Sequence, residues 1–383
     1  MARFFWIIFF IGVAITEANA QLPTVNGYAH TPDRTLLGWG NYWDYEVKPN
    51  WEPSKLVRRE PTQGESIVVQ QAANVFQSSS AKAMALVSGR DVVWSAYKAP
   101  AGDGRLLNSM SIGKTIAAIA TGRAICEGKI TLDTFVKALI PELAETAIGS
   151  AKVRHLLTMS SGTWEGNPDS TITDSIQASK IFVSGEISWL DVLMDSRVTQ
   201  AHSGILGKRK PGEYFAYRGT DPLVLGVMLT RATGVGYAEW VEREILIPAG
   251  IEWPAKISRD RIKGYGQSDS GVRMRLDDWI RFAVWVFERS QEDDCLGQFL
   301  REGASQQIEN RSKKFGSSFD GYGYLIWTNN RYAPKSYWAV GYGGQRIGWA
   351  SGVGKIIVVF SNTEDYMLDV YRVFAVWSKI SQQ

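Results

Sequence analysis

Histidine and cysteine are scarce in this chain of 383 residues, and each shortage closes off a chemistry. The only histidines are His30, His155 and His202, and the two cysteines, Cys126 and Cys295, belong to no CxxC or Cys/His cluster. Protein-built zinc sites need three or four such ligands, so we expect no metal, and nothing implies an organic cofactor. The cysteines sit far apart in apolar contexts and read as buried thiols, although an exported chain could join them. A charge excess is missing too: the net charge is +3, without a run of five like charges. That argues against a nucleic-acid partner. The densest basic cluster, Lys208-Arg209-Lys210 before Pro211-Gly212, reads as a solvated loop. There is no internal repeat and no low-complexity tract.

No apolar run reaches the ~20 residues that span a bilayer. Phe4 to Ile15 is the longest, behind Met1-Ala2-Arg3 and ahead of Ala18-Asn19-Ala20. A basic start, a short apolar stretch and a small-x-small end are the parts of a secretory signal. Removal of residues 1–20 is therefore expected, leaving a soluble protein in the periplasm or the medium, with no membrane anchor. Arg3 and Glu17 would leave together, so the charge would not change.

What is present is a regular alternation of patterns. Residues 21–60, rich in Pro, Trp and Tyr, read as a surface strap. Residues 66–77 suit an amphipathic helix, and 83–97 suit two strands around Gly89-Arg90. A mainly helical middle follows, with helices expected over 111–127, 132–147, 153–159, 187–196, 221–233, 237–246 and 276–288. Strands return over 323–328, 337–340, 345–350 and 355–360, and a helix over 366–380 closes the chain. The expected fold is α/β plus all-α: an antiparallel sheet built from both chain ends and flanked by helices, with a helical middle domain. Residues 61–107 and 316–383 would form the sheet domain, and 108–315 the helical one.

A serine hydroxyl becomes a nucleophile only when a base takes its proton. No GxSxG elbow is present to pair serine with one of three histidines, and His155, followed by two leucines, reads as structural. A lysine three residues after serine on a helix lies on the same face and can serve instead. Ser-x-x-Lys occurs three times: Ser79/Lys82, Ser95/Lys98 and Ser111/Lys114. Ser95/Lys98 falls on a strand, where residues three apart face opposite ways, and Ser79 lies in a polar link. Ser111 heads a long apolar helix whose N-terminal N–H groups favour an oxyanion. Its competing use is as an N-cap.

Around Ser111 the chain resembles the class C β-lactamase and penicillin-binding-protein-like serine hydrolases. Ser109-Met110-Ser111-Ile112-Gly113-Lys114-Thr115 looks like their first motif. Gly128-Lys129-Ile130-Thr131-Leu132-Asp133, Ile140-Pro141-Glu142-Leu143 and His155-Leu156-Leu157-Thr158-Met159-Ser160-Ser161-Gly162 follow in family order. So do Lys210-Pro211-Gly212-Glu213-Tyr214-Phe215-Ala216-Tyr217 and Ser270-Gly271-Val272. The likeness covers roughly residues 65 to 375.

The resemblance implies a Tyr-x-Asn motif at Tyr217-Arg218-Gly219, with Tyr217 sharing the proton transfer and Gly219 in place of the usual asparagine. Phenols ionise near pH ~10, so such a base needs positive charge nearby, which Lys114 could supply. The third motif, usually Lys-Thr-Gly, falls on Tyr342-Gly343-Gly344, where the competing reading is a glycine-rich hairpin bend. There the resemblance implies that the Gln345 N–H joins that of Ser111 as an oxyanion hole. Without the lysine the usual anchor for a substrate carboxylate is missing; Arg346 could partly replace it. Trp164, Trp327 and Trp338 are candidates to line a cleft, and Arg218 points either to solvent or to substrate. The expected function is acyl transfer from a small ester, amide or peptide through an acyl-Ser111. An esterase or a hydrolase of small linear amides fits best. The rivals are a β-lactamase or D-Ala-D-Ala carboxypeptidase, and an inactive penicillin-recognition fold used as a sensor.

Overall fold

The computed structural model describes residues 32–38, 43–163, 180–194, 203–204 and 207–380. The expected signal segment and Trp164 lie outside them. In chain order the described elements begin with helix α1 (Pro32–Leu37), strands β1 (Tyr45–Val47) and β2 (Val57–Arg58), and helix α2 (Gln63–Ser78). Strands β3 (Ala83–Ser88), β4 (Asp91–Tyr97) and β5 (Leu107–Asn108) precede helix α3 (Ile112–Cys126). Short helices α4 (Val136–Leu139), α5 (Val153–Leu157) and α6 (Trp189–Leu193) and a small hairpin, β6 (Ser203–Gly204) and β7 (Gly207–Lys208), come next. They lead to α7 (Thr220–Thr233) and α8 (Tyr237–Val241). Strands β8 (Ala255–Ile257) and β9 (Val272–Met274), then helices α9 (Leu276–Gln291) and α10 (Cys295–Gly303), finish the middle of the chain. The last stretch holds β10 (Ile308–Glu309), β11 (Phe319–Tyr322), β12 (Trp327–Asn330), β13 (Ser336–Gly341), β14 (Gln345–Ala350), β15 (Lys355–Phe360) and helix α11 (Met367–Trp377).

Both chain ends enter one sheet. Its order is β10-β11-β12-β13-β14-β15-β3-β4-β2, antiparallel except where β2 runs beside β4. The seam between the ends is the β15–β3 pair, Phe360 opposite Ala83 through Lys355 opposite Ser88. Every residue of β3 and β15 is buried, because helices cover both faces of the sheet, and continuous apolar strands are what such burial selects. Trp377 of α11 donates to the Val87 carbonyl on one face, while Trp349 donates to the Ala283 carbonyl of α9 on the other. Helix α2 begins with a capping box between Thr62 and Glu65, the reciprocal arrangement that satisfies two orphan N–H groups.

Several elements depart from expectation. The helix expected over 132–147 is interrupted: α4 ends at Leu139, and Pro141, which lacks an N–H and fixes its own φ, starts a single 3-10 turn. Of the strand expected over 323–328 only residues 327 and 328 are extended, opening β12, because residues 323–326 form the turn from β11, with Leu325 at φ 50°. A second sheet, β1-β8-β9-β5, and helix α10, an amphipathic helix capped by Asp294, add to the expected elements. The reading of the cysteines as buried thiols is corrected: Cys126, ending α3, is joined to Cys295, opening α10, across 169 residues. Among the described residues no helix is long and apolar enough to cross a membrane.

Candidate active site

Helix α3 runs through the core, with every residue from Ile112 to Gly122 buried. That burial explains why its hydrophobicity is nearly all-round rather than one-sided, and it takes the stem of Lys114 inside, leaving the side chain 1 % exposed. The turn before the helix is pinned by Ser109, which pairs with Val272 through both backbone and hydroxyl. Met110 then adopts φ 43°, a left-handed conformation that side chains rarely hold, and backbone strain of this kind gathers at working sites. Ser111 stands at the N-cap, yet its hydroxyl caps nothing. It accepts instead a hydrogen bond from Lys114 Nζ at 2.9 Å. Gly113 is required between them: a Cβ there would come 2.8 Å from the Ser270 Cα.

The other two Ser-x-x-Lys pairs form no such contact. Ser95 accepts from Arg58, and Lys98 donates to the carbonyls of Phe76, Gln77 and Ser79 at the end of α2. His155 accepts from the Lys152 N–H, a local structural bond.

Lys114 Nζ also donates to the Asp269 carbonyl oxygen at 3.1 Å and lies 3.6 Å from the Asp269 carboxylate. It stands 5.4 Å from the centre of the Tyr217 ring. Tyr217 is held edge and face by aromatic neighbours, with ring centres at 5.3 Å for Trp327, 5.4 Å for Phe315 and 6.3 Å for Tyr322. Beneath it, Arg218 points inward rather than to solvent or substrate. It is 1 % exposed and donates to the Ala216 carbonyl and to the hydroxyls of Ser161 and Thr163. Ser161 in turn donates to the buried Asp221, whose carboxyl is pushed up by burial and pulled back by Arg218 and Ser161. This network fixes the Tyr217 loop to the start of α7, where Gly219 is the N-cap.

Across from α3 the end of β13 closes the site. β12 pairs with β13 at Trp338 and Tyr337, and a Cβ on Gly341 would lie 2.6 Å from the Ser109 carbonyl oxygen. The strand end therefore abuts the turn that carries Ser111. A cleft of about 520 Å³ opens here, between Ser111, Tyr217 and Trp327 at its base and Phe315, Tyr342 and Leu368 at its rim. Val340 and Gly341 line it, whereas Gln345 is wholly buried. The Gln345 side chain holds the hairpin, bonding the Tyr342 and Ser361 carbonyls and the Ser361 N–H. Gly343 and Gly344 form the bend itself, at φ 75° and 93°, packed against Thr35 and Thr363. Of the other tryptophans, Trp327 reaches the cleft, but Trp338 is buried between Tyr371 and Phe374.

Arg346 also reaches the cleft wall, at 4 % exposure. Its guanidinium donates to the Gly341 and Gln345 carbonyls, the Tyr371 hydroxyl and the Glu364 carboxylate. Glu364 also accepts from the Gly343 N–H and is 47 % exposed. Sequence reasoning missed Glu364, Phe315 and Asp269. The last is adjacent to Ser270-Gly271-Val272 and could have been found there; the first two sit in loops without a periodic signal.

The comparisons agree with this architecture. Residues 73–377 match the Beta-lactamase family model. A putative 6-aminohexanoate-dimer hydrolase from Bacillus anthracis superposes with TM-score 0.69 at 16% identity, over 88% of this chain and 89% of that one. A penicillin-binding protein from Bacillus halodurans gives 0.63 at 17%, over 79% and 98%. The hydrolase EstCE1, with promiscuous acyltransferase activity, gives 0.62 at 14%, over 82% and 99%. Likeness at such identities is one of fold. In sequence, the chain is 29% identical over 119 residues to penicillin-binding protein 4* of Bacillus subtilis, a match spanning 30% of this chain and 24% of that protein.

Proposed function

The chain belongs to the β-lactamase family, and we propose that it is a serine hydrolase acting on esters or small linear amides through an acyl-Ser111. The observation that carries this is the Ser111–Lys114 hydrogen bond at the base of a cleft, made by a serine that caps nothing. In the reaction the Ser111 oxygen bonds to the substrate carbonyl carbon, and its proton passes to Lys114 with Tyr217 alongside. The carbonyl electron pair moves to oxygen, where the N–H of Ser111 and an N–H from the β13 edge at Val340–Gly341 receive it. In this role the strand edge replaces Gln345, whose burial keeps it from the cleft. Collapse expels the alcohol or amine with a proton, and water releases the acyl group by the same steps.

The rim supports a substrate lacking a carboxylate beside the scissile bond. Where the family pattern has a lysine, Tyr342 stands 58 % exposed, and the accessible member of the neighbouring ion pair is Glu364. An anion there would meet like charge. The neighbour described as a putative 6-aminohexanoate-dimer hydrolase and the hydrolase EstCE1 are consistent with a linear amide or ester. Turnover of p-nitrophenyl esters and of linear amide dimers, compared with nitrocefin in the wild type and in Ser111→Ala, tests the reading. No turnover of any of them would end it.

We also infer export. The N-terminal pattern supports it, and so does the Cys126–Cys295 bond, since disulfides persist in oxidising compartments. N-terminal sequencing of the processed protein should begin at Gln21; an unprocessed chain would reject it.

A further inference from the structure

The lysine at the base of the cleft is not alone with its serine. Asp269, on the segment that packs against Gly113, brings a second buried ionisable group to the same nitrogen. Both side chains are 1 % exposed, and Lys114 Nζ is 3.6 Å from Asp269 Oδ2. Among the described residues that oxygen has no hydrogen-bond donor, whereas Oδ1 accepts from the Ser270 hydroxyl, itself held by Gln267. The carboxyl is thus aimed at the lysine: burial pushes it toward its neutral form, and the Lys114 charge and the Ser270 hydroxyl pull it back toward the carboxylate. Also near the pair are the Ser111 hydroxyl, the Tyr217 ring and the buried Tyr237 hydroxyl, the last on the Asp269 side. The nearby buried carboxylate of Asp221 is engaged by Ser161 beside Arg218.

We propose that Asp269 is a positioning residue for the Ser111 reaction, holding Lys114 by its carbonyl and carboxylate and setting the pH at which the lysine becomes a base. This rests on the reading of Ser111 as nucleophile. A carboxylate within about 4 Å favours the ammonium form of a lysine, moving such equilibria by roughly one to three pH units. An ammonium has no lone pair with which to take the serine proton, so the carboxylate raises the pH needed for acylation. It offsets part of the burial that favours the neutral amine. Asp269 touches neither substrate nor the reacting atoms; it acts through Lys114.

The test is the pH dependence of Ser111 acylation by p-nitrophenyl acetate, followed in the pre-steady state. In Asp269→Asn the acidic limb should move to lower pH by about one to three units, with Asp269→Glu returning it toward the wild-type position. A limb that coincides with wild type in folded Asp269→Asn overturns the proposal. If Asp269→Asn has no cooperative melt, Ser270→Ala serves instead. It removes the hydroxyl that stabilises the carboxylate, weakens the counter-charge, and should move the limb the same way by a smaller amount; an unmoved limb there is equally decisive. Absence of acyl-Ser111 in the wild type would end the nucleophile assignment as well, while normal acylation with an unmoved limb ends only the role of Asp269.

Discussion

Arg346 and Glu364 meet at 3.2 Å on the cleft wall, and only the carboxylate reaches solvent. The guanidinium is committed to two carbonyls and a tyrosine hydroxyl, so this stretch of the wall presents negative charge, while Lys314 lines the cleft beside Phe315. Glu364→Gln keeps an oxygen for the Gly343 N–H and removes that charge. Relative kcat/KM for a carboxylate-bearing ester over its neutral analogue should rise about five- to tenfold, the worth of roughly 1–1.4 kcal/mol. An unchanged ratio would mean that this wall does not read substrate charge.

Tyr217 packs with Trp327 and Phe315 through its ring, which phenylalanine preserves. Tyr217→Phe should therefore lower kcat about 10²- to 10⁴-fold, the usual worth of a positioned acid–base group, while thermal unfolding moves little. A large loss of stability with activity intact would make the tyrosine a core residue only.

Much of this site was legible before the structure, and the boundary of legibility has physical causes. Strands β14 and β15 span the expected 345–350 and 355–360, and α3 follows its apolar run. Those are local signals. The break at Pro141 is local too, set by a proline inside the helical pattern, whereas the inward turn of Arg218 and the pairing of Cys126 with Cys295 depend on contacts between distant segments. The Tyr342-Gly343-Gly344 motif shows the limit most clearly. Its letters suit a substrate-binding strand, but the glycines serve close packing against Thr35 and Thr363, and the cleft edge belongs to the residues just before them.

The disulfide ties α3 to α10 and closes a loop of 169 residues. By chain entropy such a crosslink stabilises by up to about 5 kcal/mol. Replacing both cysteines by serine should lower the urea midpoint without changing the cleavage chemistry. An unchanged midpoint would show that the bond contributes nothing to the stability of the fold.

Glu65 joins the sheet to α2 through buried Lys355 and through Arg59. The hydrogen bond from Arg59, helped by the Thr62 N–H and Lys355, lowers the Glu65 carboxyl to about 2. Because the folded value lies below the unfolded one, its stabilisation is complete above pH ~4.3 and is lost as pH falls toward 2. The full effect is about 3 kcal/mol. Glu65→Gln should be markedly less stable at pH 7 and differ less at pH 2.5; a constant difference across that window would refute the linkage.

The central claim is that Ser111, activated by Lys114, forms the acyl-enzyme. Labelling with a fluorophosphonate, followed by peptide mapping, addresses it directly. The adduct should sit on Ser111, vanish in Ser111→Ala and form about 10³-fold more slowly in Lys114→Met. Labelling on another residue, or undiminished labelling after loss of Lys114, would contradict it.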